Sequence, residues 1–163
     1  MVRSETLASM DLFRDLPADG LGAIAAMCRE EAFPAKTVFF AVDRPADNMY
    51  LLLEGSVGLT IEPVPTSPPL TVSILDSRGQ LFGWSAIVGP RNYTATAQAM
   101  TEVRVIALDG HALMRFLEQH PAVGVVVLKR LAQLISLRMS ELRRLLTETI
   151  RDYEHPPKAQ REN

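Results

Sequence analysis

The pattern of hydrophobic and polar positions divides the chain into three parts. The first part has apolar side chains at helical spacing, which predicts N-terminal helices. The second has short apolar or alternating runs between turn residues, which predicts strands. The third returns to helical spacing and predicts a short helix and then a long one. These parts cover residues 1–35, 36–109 and 110–155, with a polar tail over 156–163 and helices over about 7–32, 112–119 and 122–153.

The middle part predicts a mainly β fold with flanking helices. Gly55 lies in a tight turn between two strand-like runs, and a proline-rich loop over 63–69 separates the next pair. Several short strands at this spacing suggest an antiparallel barrel or jelly roll. The predicted strands cover residues 37–42, 49–53, 56–61, 70–75, 93–97 and 103–108.

The long helix carries an apolar seam with spacings of three and four residues. Such spacing is typical of a coiled coil, and a helix this long outruns a small domain. We therefore expect a homodimer held by this seam. The expected interface residues are Leu128, Leu131, Ile135, Met139, Leu142 and Leu145.

Composition narrows the class of protein. The chain has 163 residues, which suits one domain, and its net charge of −2 gives no support for nucleic-acid binding. The single cysteine, Cys28, fits a reducing compartment, and no apolar run is long enough to span a bilayer. We expect a cytoplasmic protein without membrane or direct DNA contact. The histidines and Cys28 share no metal-ligand spacing, and no catalytic constellation is evident, so we expect no metal, no cofactor and no enzyme activity.

Residues 79–97 form the segment with the most specific chemistry. Gly79 and Gly83 precede a short run of small residues, and a strand-like run starts at Tyr93. A glycine turn at the start of a helical turn can expose backbone N–H groups, which favour an anion. The segment therefore predicts a site for a charged group.

This segment resembles the phosphate-binding cassette of cyclic nucleotide-binding domains of the catabolite-activator class. The resemblance extends to the hairpin over 44–57 and to the helix over 114–121, and so covers nearly the whole chain. It implies a β-roll (a double-stranded β-helix) with a dimerisation helix. Because the chain ends at Asn163, we expect the sensor part alone, 1–163, without a DNA-binding domain.

Two positions depart from the cassette pattern. Trp84 follows Gly83 where the family has an acidic residue for the ribose hydroxyl, and Tyr93 stands where the family has the arginine that binds the cyclic phosphate. A phenol donates a hydrogen bond but cannot neutralise a phosphate. Arg91 faces the same way as Tyr93 if the backbone is extended, and could replace that arginine. The resemblance implies a ligand site made by Phe82, Gly83, Trp84, Ser85, Ala86, Arg91, Tyr93, Thr94 and Ala95.

Several functions fit this pattern. The first is a stand-alone regulatory sensor that binds a small ligand other than cyclic AMP or passes a signal to a protein partner. The second is a genuine cyclic nucleotide-binding protein that uses backbone N–H groups and Arg91. The third is a ligand-free dimeric scaffold, in which Trp84 and Tyr93 fill an unused pocket. A haem or metal sensor is a weaker fourth, because no histidine lies in the cassette.

Overall fold

The computed structural model describes residues 2–62, 68–89 and 91–154 of the chain. Residues 63–67 of the predicted loop over 63–69, and the predicted tail at 156–163, lie outside these residues. Four α-helices and eight strands are present in the described part, and one 3₁₀ turn, Trp84–Ala86, follows the sixth strand. The helices are α1 (Ser4–Ala8), α2 (Ala18–Met27), α3 (Gly110–Gln119) and α4 (Pro121–Glu154).

The strands form two antiparallel four-stranded sheets, which confirms the predicted jelly-roll fold. One sheet has the order β1-β8-β3-β6 and the other β2-β7-β4-β5. Apart from the β4–β5 hairpin, neighbouring strands in each sheet are distant in the chain, as a rolled-up β structure requires. The strands are β1 (Cys28–Phe33), β2 (Val38–Phe40), β3 (Asn48–Glu54), β4 (Val57–Ile61), β5 (Leu70–Leu75), β6 (Leu81–Phe82), β7 (Thr96–Ala99) and β8 (Val103–Asp109).

The segment Cys28–Phe33 is a strand, which corrects the prediction that helix continues to residue 32. It pairs with β8 in register from Cys28 opposite Leu108 to Phe33 opposite Val103. Apolar residues before residue 28 follow helical spacing, but from Cys28 onward the conformation is determined by pairing with β8, which is distant in sequence. Strand formation depends on such cross-strand partners more than on local propensity.

Two turns fix the geometry of the roll. Gly55 has φ +85°, and a side chain there would collide with the backbone carbonyl of Glu102, so glycine is required. Asp43 occupies the preceding turn with φ 63°, a conformation that aspartate tolerates better than most residues. The turn predicted at Gly55 is thus confirmed.

The core joins the two sheets to the helices. Its fully buried side chains come from the N-terminal segment, from β3, β6 and β8 of one sheet, from β4, β5 and β7 of the other, and from α2 and α3, and helix α4 adds Val127 and Leu131. Helix α4 begins at Pro121, directly after α3, and its first half packs on the domain. Within the described residues, no helix is long and apolar enough to cross a membrane.

Candidate functional site

The predicted glycine turn into a helical turn is present at the cassette. Gly83 has φ +76° and lies at the N-terminus of the 3₁₀ turn Trp84–Ala86. A side chain at Gly83 would lie 3.0 Å from the backbone oxygen of Asn48 and 3.2 Å from the ring of Phe40. The turn therefore packs tightly against β3, and its own residues Ser85 and Ala86 are buried.

Tyr93 fills the space beside this turn. Its ring stacks on Phe40 with centroids 3.7 Å apart and planes 8° apart. Its hydroxyl donates to the carbonyl oxygen of Asn48 at 2.7 Å and accepts from the Asn48 N–H at 3.2 Å. Burial raises the pKa of the Tyr93 phenol. Tyr93 is therefore a neutral, fully partnered side chain at the place where the cassette resemblance implies a cation.

The cavity that remains at the cassette is too small for a nucleotide. It measures about 30 Å³ and is lined by Phe40, Gly83, Trp84, Tyr93 and neighbouring residues of the turn and of β4. A volume of that size is enough for about one water molecule, whereas small-molecule sites begin at roughly 300 Å³.

Arg91 does not face this cavity, which corrects the expectation that it could replace the cassette arginine. Its backbone has φ 58°, so the chain is not extended there and the side chains of residues 91 and 93 do not share a direction. The guanidinium instead contacts the imidazole of His111, at the start of α3. The His111 ring in turn lies 3.8 Å from a carboxylate oxygen of Asp47.

A larger cavity lies between the roll and α4. It measures about 340 Å³, within the range of ligand sites. Trp84, Thr94 and Ala95 of the cassette line both this cavity and the small one, as does Leu59 of β4, so the two cavities are neighbours. The wall from the roll also includes Leu59, Ile61, Val72 and Ser73, and the wall from α4 is formed by Ile135, Arg138, Met139 and Leu142.

Among the described residues that line the large cavity, Arg138 is the one that carries a charge. Its side chain is 19% exposed, and its guanidinium donates to the hydroxyl of Ser73 at 2.6 Å. The carboxylate of Glu141, one turn along the helix, lies 3.6 Å away. Burial lowers the pKa of Arg138, and the charge of Glu141 acts in the opposite direction. The cation is thus partly desolvated at the edge of an apolar space.

The residues of the predicted seam on α4 lie in three different environments: the core, the wall of the large cavity and the surface. Leu131 is 1% exposed in the single chain and belongs to its core, which corrects its assignment to a dimer interface. Ile135 and Leu142 are half-buried at the large cavity, while Leu128, Met139 and Leu145 are exposed. The sequence pattern alone cannot distinguish core, cavity and surface positions on α4, because apolar residues at all three follow the same helical spacing.

Sequence reasoning missed the residues that decide the shape of the site. Phe40 and Asn48, which hold Tyr93, come from strands distant in sequence, and no local signal marks them. Arg138 had a signal, because it lies seven residues after the buried Leu131 and therefore on the same side of the helix. A cation at a core-facing position is unusual enough to single out.

Comparison with known proteins supports the fold and the family. A CRP-like cAMP-activated global transcriptional regulator of Mycobacterium tuberculosis is 26% identical over 131 residues, which are 79% of this chain and 57% of the regulator. This chain therefore spans a little over half the length of that relative.

Solved structures extend the similarity. A structure from Geobacter metallireducens GS-15, described as cyclic nucleotide-binding, has a TM-score of 0.76 and 32% identity, and the match covers 85% of this chain and 99% of that one. A cyclic nucleotide-binding domain from Methylobacillus flagellatus has a TM-score of 0.74 at 23% identity, over 88% and 80% of the two chains, and shows the fold alone. The family model for the cyclic nucleotide-binding domain matches residues 30–120. The chain belongs to the cyclic nucleotide-binding domain family.

Proposed function

We propose that this chain is a regulatory, non-enzymatic sensor whose ligand binds between the roll and α4 and is not cyclic AMP. The observation that carries the proposal is the 340 Å³ cavity, which has one wall on the roll and the other on α4. A ligand there contacts both bodies at once. It therefore stabilises the relative position of roll and α4 in which it binds most tightly. The change in the position of α4 is the output signal of the sensor.

The cassette explains why the ligand differs from that of the Mycobacterium tuberculosis relative, whose name describes it as cAMP-activated. Burying a cyclic phosphate requires a cation or several aligned N–H donors. Tyr93 supplies no charge and occupies the space, and Arg91 is held at His111. Loss of a charge-assisted contact alone costs a few kcal/mol, or about two decades in affinity.

An apolar stripe on α4 supports a homodimer as the state in which the sensor acts. Five exposed apolar residues repeat so that they lie on one side of the helix, beside the face that buries Leu131. Exposed apolar surface of this kind marks an interaction face. The stripe consists of Val125, Leu128, Met139, Leu146 and Ile150.

A second copy of α4 is the partner that best fits this stripe. The repeat along one side of a long helix matches what two parallel copies present to each other. Met139 lies both in the stripe and at the large cavity, and Leu142 lines the cavity nearby. Ligand binding and the dimer contact are therefore adjacent, so each influences the other.

A neutral apolar dye tests the ligand site. N-phenyl-1-naphthylamine becomes fluorescent when it moves from water into an apolar cavity. We expect saturable binding of one dye per chain, weakened at least about tenfold in Ala95→Phe, which places a ring inside the cavity. The matched control is Ala122→Phe, at an exposed position of α4 outside the cavity.

Thermal melts confirm that both variants fold, and Leu142→Phe replaces Ala95→Phe if the latter does not. Equal dye binding by the wild type, the cavity variant and the control would show that the cavity is not the ligand site. Binding of cyclic AMP at micromolar concentration by the wild type would favour the cyclic nucleotide function instead.

A further inference from the structure

The large cavity combines an apolar wall with one cation. Most of its lining is aliphatic or aromatic, with polar side chains only at Ser73, Thr94 and Arg138. None of these lining residues is a carboxylate. A ligand that fills the cavity therefore meets apolar surface over most of its area and positive charge at one end.

The charge of Arg138 is incompletely compensated by its surroundings. A guanidinium has five N–H donors, and the partners described for it are one neutral hydroxyl, Ser73, and one carboxylate, Glu141, at 3.6 Å. That carboxylate belongs to a side chain that is 60% exposed, so water screens much of its attraction. A partly buried cation of this kind gains most from an anion brought to it in a dry environment.

We propose that the cavity takes a small apolar monoanion, a compact aryl or alkyl body with one carboxylate or sulfonate, whose charged group pairs with Arg138. This inference rests on the proposed function and names the ligand class of the same site. The apolar body lies against Trp84, Val72 and Leu142, and the anion replaces the Ser73 hydroxyl on the guanidinium.

The same features make ligands of other charge weaker binders. A second negative charge would be buried against apolar side chains without a partner, and Glu141 would repel it. A neutral ligand would leave Arg138 with less hydration and no new partner. The volume of about 340 Å³ lies near the small end of the range of ligand sites, so the body is compact.

Two dyes of nearly the same shape test the assignment. 8-Anilino-1-naphthalenesulfonate carries one sulfonate, and N-phenyl-1-naphthylamine is its neutral counterpart. We expect the wild type to bind the sulfonate about 10–100-fold more tightly than the neutral dye, which is the usual worth of a hydrogen-bonded charge pair. Arg138→Gln removes this preference but leaves binding of the neutral dye within about threefold.

Three further variants sharpen the result. Arg138→Lys keeps part of the preference because it keeps the charge, and Glu141→Gln increases it because the competing carboxylate is gone. Arg144→Gln is the matched control: Arg144 lies on the same helix, pairs with Glu148 and does not line the cavity. It leaves both affinities unchanged. Thermal melts establish that each variant is folded.

The outcomes separate the two proposals. Equal affinities for the two dyes, unaffected by Arg138→Gln but lost in Ala95→Phe, would overturn the monoanion assignment and leave the ligand site standing. Binding of both dyes that ignores Ala95→Phe would overturn the site itself. A sulfonate preference lost equally in Arg138→Gln and Arg144→Gln would show attraction by the general charge of the helix and would also contradict the assignment.

Discussion

The hydroxyl of Tyr93 donates to the carbonyl oxygen of Asn48 at 2.7 Å and accepts from the N–H of the same residue at 3.2 Å. This pair of hydrogen bonds fixes an aromatic ring across the cassette, and Phe40 stacks on its face. The left-handed glycine and the 3₁₀ turn of the cassette are thus both present, with a buried aromatic side chain held beside them.

The first prediction concerns cyclic AMP. We expect the wild type to bind it with a dissociation constant of roughly 100 μM or weaker, because the described residues that line the small cassette cavity include no cation. The double variant Trp84→Glu, Tyr93→Arg provides the acidic and basic groups and clears the ring, and binding should strengthen at least about tenfold. Isothermal titration calorimetry measures both constants.

Arg91→Ala is the control for this experiment. Because the Arg91 guanidinium contacts His111 and not the cassette, its removal should leave any residual cyclic AMP binding unchanged. Submicromolar binding by the wild type that Arg91→Ala abolishes would contradict this account of the cassette.

The second prediction concerns the stability of the folded protein at high pH, where Tyr93 and Tyr50 titrate. Burial raises the pKa of Tyr93 above its ordinary value of 10.0, and burial raises the pKa of Tyr50 to about 12. The unfolded chain therefore loses its phenolic protons first. The contribution of these two phenols to the free energy of unfolding is constant well below pH 10 and falls as the pH rises from about 10 to 12. Urea unfolding at a series of alkaline pH values measures the fall.

Tyr93→Phe separates the two parts of this effect. At neutral pH it should lower the free energy of unfolding by about 1 kcal/mol, because the backbone groups of Asn48 lose a partner. At alkaline pH its decline should be shallower than that of the wild type, since one titrating phenol is gone. An unchanged alkaline slope would show that Tyr93 is not buried as described.

The third prediction concerns Cys28. The thiol is 5% exposed, and burial raises its pKa to about 12, so the reactive thiolate is scarce at neutral pH. We expect 5,5′-dithiobis(2-nitrobenzoic acid) to label the native protein at least about a hundredfold more slowly than the urea-unfolded chain. Comparable rates in both states would place Cys28 at the surface.

Some elements of the fold could be predicted from the sequence and others could not. Strand β5, Leu70–Leu75, is predicted to the residue, because both of its ends are marked by prolines or turn residues. The glycine turn at Gly83 is also predicted, since a positive φ leaves a clear residue preference. Strand β1 is not, because its conformation depends on pairing with β8, some 75 positions away in the chain.

The candidate site was predictable only in its local part. The absence of a cassette cation follows from Tyr93 alone, but the direction of Arg91 depends on a left-handed backbone at a non-glycine residue, which sequence rarely signals. The large cavity arises from how α4 lies on the roll. That arrangement decides which of the seam residues become core, cavity or surface, and only the three-dimensional structure contains it.

The fourth prediction concerns the dimer. Met139→Glu with Leu146→Glu places two charges on the exposed apolar stripe and should convert a dimer into a monomer, as measured by light scattering at tens of micromolar, which is about the usual assay range. Both side chains are more than half exposed in the single chain, so the fold should survive.

Leu137→Glu with Ser140→Glu is the matched control. These positions are also exposed on α4 but lie away from the stripe, and this variant should remain dimeric. A wild type that is already monomeric, or a control that dissociates as readily as the stripe variant, would show that the stripe does not hold a dimer.

The most direct test of a ligand site between the roll and α4 is the indole N–H resonance of Trp84. Trp84 is the single tryptophan of the chain and lines the cavity, so one isolated peak in a ¹H–¹⁵N spectrum reports on it. Saturating 8-anilino-1-naphthalenesulfonate should shift this peak in the wild type and in Ala122→Phe but not in Ala95→Phe, and cyclic AMP should leave it in place. A peak that moves with cyclic AMP, or that ignores the dye while the dye binds, would contradict the account.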